Sequence, residues 1–427
     1  MNKKEFKGFA FIEGGVCAAE GFQANGIYCG IKASMSGTEL NLQANGVTAS
    51  LKNDLALIYA ENPCSAAAMY TTNKVQGAPL TVTRKHLEDG SAQAVIVNSV
   101  NANTCNADGI EKAEKMAQLT AEALNLKPED VIVASTGVIG QVLPIEPIEK
   151  GIPELVKGLN YQGNSEAVQA IMTTDTQPKE VAVEFTLGGK VCHLGGMLKG
   201  SGMIHPNMAT TLTFLTTDCA ISSDMLKLAL HDAVMVTLNR VSVDGDTSTN
   251  DMVCIMANGK AGNAEINKTD SDFELFKDAL YAVLMNLARM MARDGEGATK
   301  LIECICTGAV DDKTAEIVAK SVIMSSLFKA AIFGEDANWG RILCAVGYAP
   351  AEFDIHQVDV SISSPKGRID VCEDGAGIEF SEELAKTVLS EEEILVSVSI
   401  GKGSGSAVAW GCDLTYDYVR INGDYRS

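Results

Sequence analysis

The sequence predicts an α+β fold, a layered sandwich of mixed or antiparallel sheets flanked by helices, and three observations carry that expectation. Short apolar runs with a period of two alternate in blocks with long stretches whose apolar residues recur every three or four positions. Gly-containing turns, such as Gly188-Gly189 and Pro365-Lys366-Gly367, join many of these blocks, as tight connections between neighbouring strands require. At 427 residues the chain exceeds the size at which one hydrophobic core stops growing, so two lobes, or one large layered body with an appendage, is expected.

In chain order, the runs 94–98 (AVIVN), 130–135 (DVIVAS), 181–187 (VAVEFTL) and 394–400 (ILVSVSI) read as strands. Amphipathic helices are expected over 112–126, over 224–239 behind a Ser222-Ser223-Asp224 cap, over 272–293 and over 314–328. No self-similar period appears, and no low-complexity tract separates two domains. The least regular connection carries Gly195, Gly196, Gly200 and Gly202, and it divides the chain into nearly equal halves.

Composition excludes several function classes. Hydrophobic residues make up 46% and charged residues 21%, and no apolar run approaches the roughly 18 to 20 residues of a membrane helix, so a soluble globular protein is expected. The formal net charge of −21 opposes nucleic acid and anionic membranes as partners. The opening residues, MNKKEFKGFAFIEGG, lack the long apolar core of a secretory signal, which makes the cytoplasm the expected compartment. Twelve cysteines are scattered singly, the closest pair being Cys304 and Cys306 in a CxC within a strand-like stretch. Buried free thiols are the expectation, and the spacing suits a zinc site poorly, so no metal and no cofactor is expected.

The stretch KGSGMIHPNMATTLTF, residues 199–214, concentrates the chemistry. A phosphate-cradling loop would place a glycine before Lys-Ser/Thr at the mouth of a helix, whereas here Lys199-Gly200-Ser201 leads into a strand. A plain flexible connector fits the glycines but rarely runs without a turn signal into TTLTFLTTD. The third reading makes Thr210 a nucleophile created by self-cleavage. A threonine hydroxyl is weak at neutral pH and needs a base in reach, which a freed α-amino group, with an ordinary pKa of about 7.7 to 8.0, supplies on the same residue. Scission of the bond between Ala209 and Thr210 creates that amine. Glycines permit the close approach this needs, and Pro206 restricts the backbone ahead of it. His205 lies in the same loop, but the terminal amine already fills the role of base.

These residues, with several others, resemble the ornithine acetyltransferases, the arginine-pathway enzymes also called glutamate N-acetyltransferases. The resemblance rests on GGMLKGSGMIHPNMATTLTFLTTD and on IEGGV at 12–16, DLALIYAENPCSAAAMYTTNKVQGAPL at 54–80, IVNSVNAN at 96–103, STGVIG at 135–140, IMTTDT at 171–176, SVDGDTSTND at 242–251, RDGEGATK at 293–300 and DANWGRI at 336–342. It implies a fold like that of N-terminal-nucleophile acyltransferases, with residues 1–209 as an α chain and 210–427 as a β chain that starts at Thr210. It also implies a heterotetramer of two α and two β chains. N2-acetylornithine and glutamate are the implied substrates, and no residue decides whether acetyl-CoA is a second acetyl donor.

By the same matching, Thr136 and Gly137 correspond to an oxyanion-hole pair, whose hydroxyl and backbone N–H would stabilise charge on the acyl oxygen. Substrate contacts are implied at Thr173, Lys199, Thr210, Glu296, Asn422 and Ser427, with Thr174 adjacent to the first. Lys199 suits a carboxylate and Glu296 an ammonium. Two positions depart from the pattern: Val100 stands where glycine is expected, which bears on the turn at 101–103, and a second threonine follows the nucleophile. The SVDGDTSTND run lacks the spacing of a calcium loop and reads as hydrogen-bonded turns.

Overall fold

Two mixed sheets and the helices that cover them account for residues 4–35, 52–205 and 211–424, which the computed structural model describes. The nine-stranded sheet runs Ala10–Ile12, Lys179–Leu187, Lys190–Lys199, Leu212–Thr217, Met252–Ala257, Leu55–Tyr70, Ser91–Asn98, Val131–Ser135, with Phe22–Ile27 also paired to Leu55–Tyr70. Its neighbours are antiparallel except at two places, where Met252–Ala257 lies parallel to Leu212–Thr217 and Val131–Ser135 parallel to Ser91–Asn98. All four expected strands are present, with ends shifted by a few residues. Pro63 falls where the ladder between Leu55–Tyr70 and Ser91–Asn98 skips, between Tyr59 and Cys64, because proline has no N–H to give the ladder.

The second sheet has seven strands, ordered Ala376–Gly377, Gly367–Glu373, Asp359–Ser364, Glu393–Ser399, Leu301–Ala309, Gly405–Cys412 and Val241–Ser242. Cys304 and Cys306 do lie in a strand, and both are buried. All twelve cysteines are free thiols, although Cys105 and Cys344 are exposed rather than buried as expected.

The helix Ser271–Arg293 packs on Lys179–Leu187 and Lys190–Lys199 of the first sheet and on Leu301–Ala309 and Gly405–Cys412 of the second. That position explains its sequence. Phe273, Phe276, Ala279 and Leu280 make a one-sided stripe in its first turns, but from Ala282 to Ala292 nearly every residue is buried. Each large apolar side chain fully buried here contributes roughly 1.5 to 3 kcal/mol. The Asp270 carboxylate caps its start, accepting from the N–H groups of Asp272 and Phe273.

Two helix expectations need correction. The stretch 224–239 is helical only over Ser223–Val236, and Leu238–Arg240 is a tighter 3-10 turn; the cap is Ser222, whose side chain accepts from Met225 N–H. The stretch 314–328 is two helices, Asp312–Met324 and Ser326–Phe333. Ser325 breaks it, with extended backbone and a hydroxyl that caps the second helix through Phe328 N–H, a competition with the helix that serine side chains often win. The expected 112–126 helix spans Gly109–Leu124 and stops at Asn125 in a left-handed cap. Among the described residues no helix is long and apolar enough to cross a membrane.

Candidate active site

The connection from Lys190–Lys199 to Leu212–Thr217 reaches a cleft lined by Thr136, Lys199, Gly202, Met203, Ile204, Thr211, Leu212, Ser248, Asn250 and Asp251. Thr136 and Lys199 thus line one cleft, whereas Gly137, Thr173, Glu296 and Asn422 are not among its lining residues. Ala209, Thr210 and Ser427 lie outside the described residues. A larger recess of about 380 Å³ sits elsewhere, between Ala78–His86 and Gly109–Leu124; none of the expected site residues lines it, and its His86 ring Nδ1 is bonded to the Val131 carbonyl at 2.8 Å.

One wall of the cleft is the turn that follows Val131–Ser135. Thr136 N–H donates to the Asn98 carbonyl at 3.0 Å and Val138 N–H to the Val100 carbonyl at 2.9 Å, while Gly137 N–H has no acceptor among the described residues. Gly137 has φ +125°, and a Cβ there would stand 2.0 Å from the Val100 carbonyl oxygen, so only glycine fits this turn. Val100 fits its own turn. Asn98 Oδ1 accepts from Val100 N–H (3.2 Å) and Asn101 N–H (3.0 Å), and the left-handed residues are Asn103 and Cys105 instead.

Asn250 braces this wall. Its amide donates to the carbonyls of Ala102 (2.6 Å) and Ser135 (3.0 Å), and its oxygen accepts from the Thr104 hydroxyl at 2.6 Å. Hydrogen-bonded turns, as expected, make up much of SVDGDTSTND, with Ser242 in a short strand at its start. The Asp244 carboxylate accepts from Met203 N–H (2.7 Å) and Ile204 N–H (2.9 Å), and Thr247 Oγ1 donates to the His205 carbonyl at 2.8 Å. Asp244 thereby holds Met203 at φ +56°, a left-handed conformation costly for a non-glycine residue. The His205 ring Nδ1 is paired with Ser242 Oγ at 3.2 Å, and burial depresses its pKa.

On the other side, the start of the Gly-rich connection is clamped to two further segments by buried charge. Lys179, 1% exposed, donates to Asp175 at 2.7 Å and to Asp294 at 2.5 Å. Asp175 also accepts from Gly200 N–H (2.8 Å) and Thr173 N–H (3.0 Å), which ties the expected substrate residue Thr173 to the Lys199–Gly200 step. Burial opposes its charge, but the Lys179 and Lys199 ammonium groups and these hydrogen bonds overcome it and hold the carboxyl far below the ordinary carboxylate range. Lys52 donates to the Thr173 carbonyl at 2.6 Å; burial depresses its pKa, and nearby Lys199 adds to the effect.

Glu296, 9% exposed, enters beside Gly202, where a Cβ would come within 2.4 Å of its carboxylate oxygens. Its backbone N–H donates to the Ser201 carbonyl at 3.0 Å, and Asn422, on the C-terminal helix Tyr416–Asp424, donates to its Oε2 at 2.8 Å. The helix Tyr416–Asp424 is thereby held against Glu296.

The residues that sequence reasoning missed are Asp175, Lys179, Asp294, Asn250, Asp251 and Lys52. Lys179 carried a usable signal, since it occupies an inward position of the alternating strand KEVAVEFTL and a buried ammonium demands a carboxylate. At the opposite end of the same strands Cys192, Asp218 and Cys219 come close enough to hold a metal ion, a cluster created by antiparallel pairing and invisible in the spacing. The Asp218 oxygens are already taken by the backbone N–H groups of His193 (2.7 Å) and Glu20 (3.1 Å) and by the His193 ring (2.6 Å).

The ArgJ family model matches residues 39–427. The chain belongs to the ArgJ family. Among its relatives, the arginine biosynthesis bifunctional protein ArgJ 1 of Clostridium acetobutylicum is 50% identical over 385 residues, covering 90% of this chain and 94% of the relative. The ArgJ of Caldanaerobacter subterraneus subsp. tengcongensis is 47% identical over 417 residues, covering 97% of this chain and 99% of the relative. A crystal structure of Bacillus halodurans ArgJ is 47% identical and covers 50% of this chain and 98% of that one, with a TM-score of 0.48. An ornithine acetyltransferase from Mycobacterium tuberculosis, solved with ornithine, is 34% identical and covers 47% of this chain and 100% of that one, with a TM-score of 0.40.

Proposed function

We propose that this ArgJ family member cuts itself between Ala209 and Thr210 and then moves the acetyl group of N2-acetylornithine to glutamate, as a step of arginine biosynthesis. The observation that supports the reading is the Gly137 N–H, left without an acceptor among the described residues, next to Thr136, which lines one cleft with Lys199 and with Thr211, the residue joined to Thr210.

In this reading Thr210 Oγ attacks the acetyl carbonyl carbon while its proton passes to the Thr210 α-amine. The developing oxyanion accepts from Gly137 N–H and the Thr136 hydroxyl. Collapse returns the proton to the departing amine, ornithine leaves, and an acetyl-threonine ester remains. The glutamate amine then attacks the ester by the same route in reverse. Lys199 receives the carboxylate of the amino acid and Glu296 its ammonium, with Asn422 holding Glu296 in place. Thr173 and Ser427 complete the substrate contacts. The relatives' designation "bifunctional" favours acetyl-CoA as a second donor to glutamate. The working assembly is a cytoplasmic heterotetramer of residues 1–209 and 210–427.

Mass spectrometry of protein quenched during turnover of acetylornithine tests this directly. The expected result is an acetyl adduct on a fragment that begins at Thr210, with the acetyl group recovered on glutamate. Free acetate in place of acetylglutamate would identify a hydrolase. A Thr210→Ala chain is expected to remain a single 427-residue polypeptide and to be inert.

A further inference from the structure

We propose that the Asp251 carboxyl carries the proton in the scission of the 209–210 bond. This rests on the self-cleavage reading above and fills a gap in it, because the α-amine that serves the mature enzyme does not exist until that bond is cut.

Asp251 is 3% exposed and lines the cleft, yet its Oδ2 is buried without a hydrogen-bond partner. An orphaned buried oxygen at an active cleft calls for a reacting partner, since leaving one unsatisfied costs about 1 to 3 kcal/mol. Its main chain is fixed on both sides. Thr71 N–H donates to the Asp251 carbonyl at 3.0 Å, and the next residue, Met252, donates its N–H to the Thr211 carbonyl at 2.8 Å. Met252 and Leu212 are partners in the parallel pair, which sets Asp251 beside Thr211, one residue from the bond to be cut.

Four other titratable groups around the connection are engaged among the described residues. Asp244 holds Met203 and Ile204, Glu296 holds Asn422, Asp175 holds Lys179, and His205 faces Ser242. Burial acts most strongly on the Asp251 carboxyl and raises its pKa, while the Ser248 hydroxyl and then the Lys199 ammonium draw it down. Burial outweighs both and pushes it well above the ordinary carboxylate range, which favours the neutral acid.

A neutral carboxyl can serve both proton positions at once. As Thr210 Oγ forms its bond to the Ala209 carbonyl carbon, one carboxyl oxygen accepts the hydroxyl proton. The other gives its own proton to the Thr210 nitrogen as the C–N bond breaks, and the carboxyl ends neutral. Water then hydrolyses the ester to free the Thr210 hydroxyl and the Ala209 carboxylate.

The test follows cutting of freshly synthesised full-length chain by denaturing gel and intact mass. Asp251→Asn should cut at least about 100-fold more slowly than wild type, the scale of a lost proton-transfer group. Its thermal midpoint should be unchanged, and Asp251→Glu should restore part of the rate. Wild-type cutting should slow as pH rises through the Asp251 pKa, because only the neutral form acts, and Asp251→Asn should lack that dependence. Cutting of Asp251→Asn at the wild-type rate overturns the proposal. Should Asp251→Asn misfold, the wild-type profile decides alone, and a rate that does not fall with rising pH overturns it. An active wild-type protein that is itself uncut removes the proposed function instead, whereas a cut wild type beside an equally cut Asp251→Asn removes only this inference.

Discussion

In the proposed reaction, single atoms decide the chemistry at Gly137 and Glu296. A methyl group at Gly137 would collide with the Val100 carbonyl oxygen and would also resist φ +125°, so the turn must move and the N–H with it. Gly137→Ala is expected to lower kcat/KM for acetyl transfer by about 100- to 1,000-fold, equivalent to about 2.7 to 4 kcal/mol for one oxyanion donor. Steady-state assays on acetylornithine check this. At Glu296 the neighbour matters more than the room. Asn422→Ala removes the amide that fixes its carboxylate, a hydrogen bond to a charged group worth about 1.5 to 3 kcal/mol, which predicts roughly a 10- to 100-fold rise in KM for acetylornithine. Cutting at residue 210 should be untouched in that variant, because in the proposed function Asn422 acts only through the Glu296 carboxylate it bonds.

Among the elements, the buried Asp175–Lys179–Asp294 triad joins the strand Lys179–Leu187, the Thr173 loop and the end of the helix Ser271–Arg293. Lys179→Met strands two carboxylates and is expected to cost about 3 to 5 kcal/mol, read as a fall in the denaturation midpoint. The pH dependence has a definite sign. Asp175 has a depressed pKa in the folded protein, so its contribution is complete above the unfolded value of about 3.9 and is lost as pH falls below it. Wild-type stability should therefore decline on that acid limb, and Lys179→Met should flatten it.

The apolar patterns made strands and helices legible, and the resemblance supplied the candidate site, because both are written in local sequence. The triad was not, since a carboxylate 115 residues from its lysine leaves no local trace. Nor was the break at Ser325, where one hydroxyl outcompetes an otherwise continuous helical pattern. Asn250 and Asp251 were visible only as turn residues, and their opposite roles come from which side chain finds partners.

For the molecule as a whole, the bond expected to break does not divide two structural units. Leu212–Thr217 and Met252–Ala257 stand in the large sheet with Lys190–Lys199 on one side and Leu55–Tyr70 on the other, hydrogen-bonded to both. Cut protein should accordingly melt in one cooperative transition, with both pieces eluting together until then, as calorimetry and size-exclusion chromatography would show. A ribosome that stopped after residue 209 would release a fragment whose sheet lacks its two middle staves. Translation as one reading frame would bring every strand to the sheet first, and the proposed scission would then finish a sheet already built rather than part it.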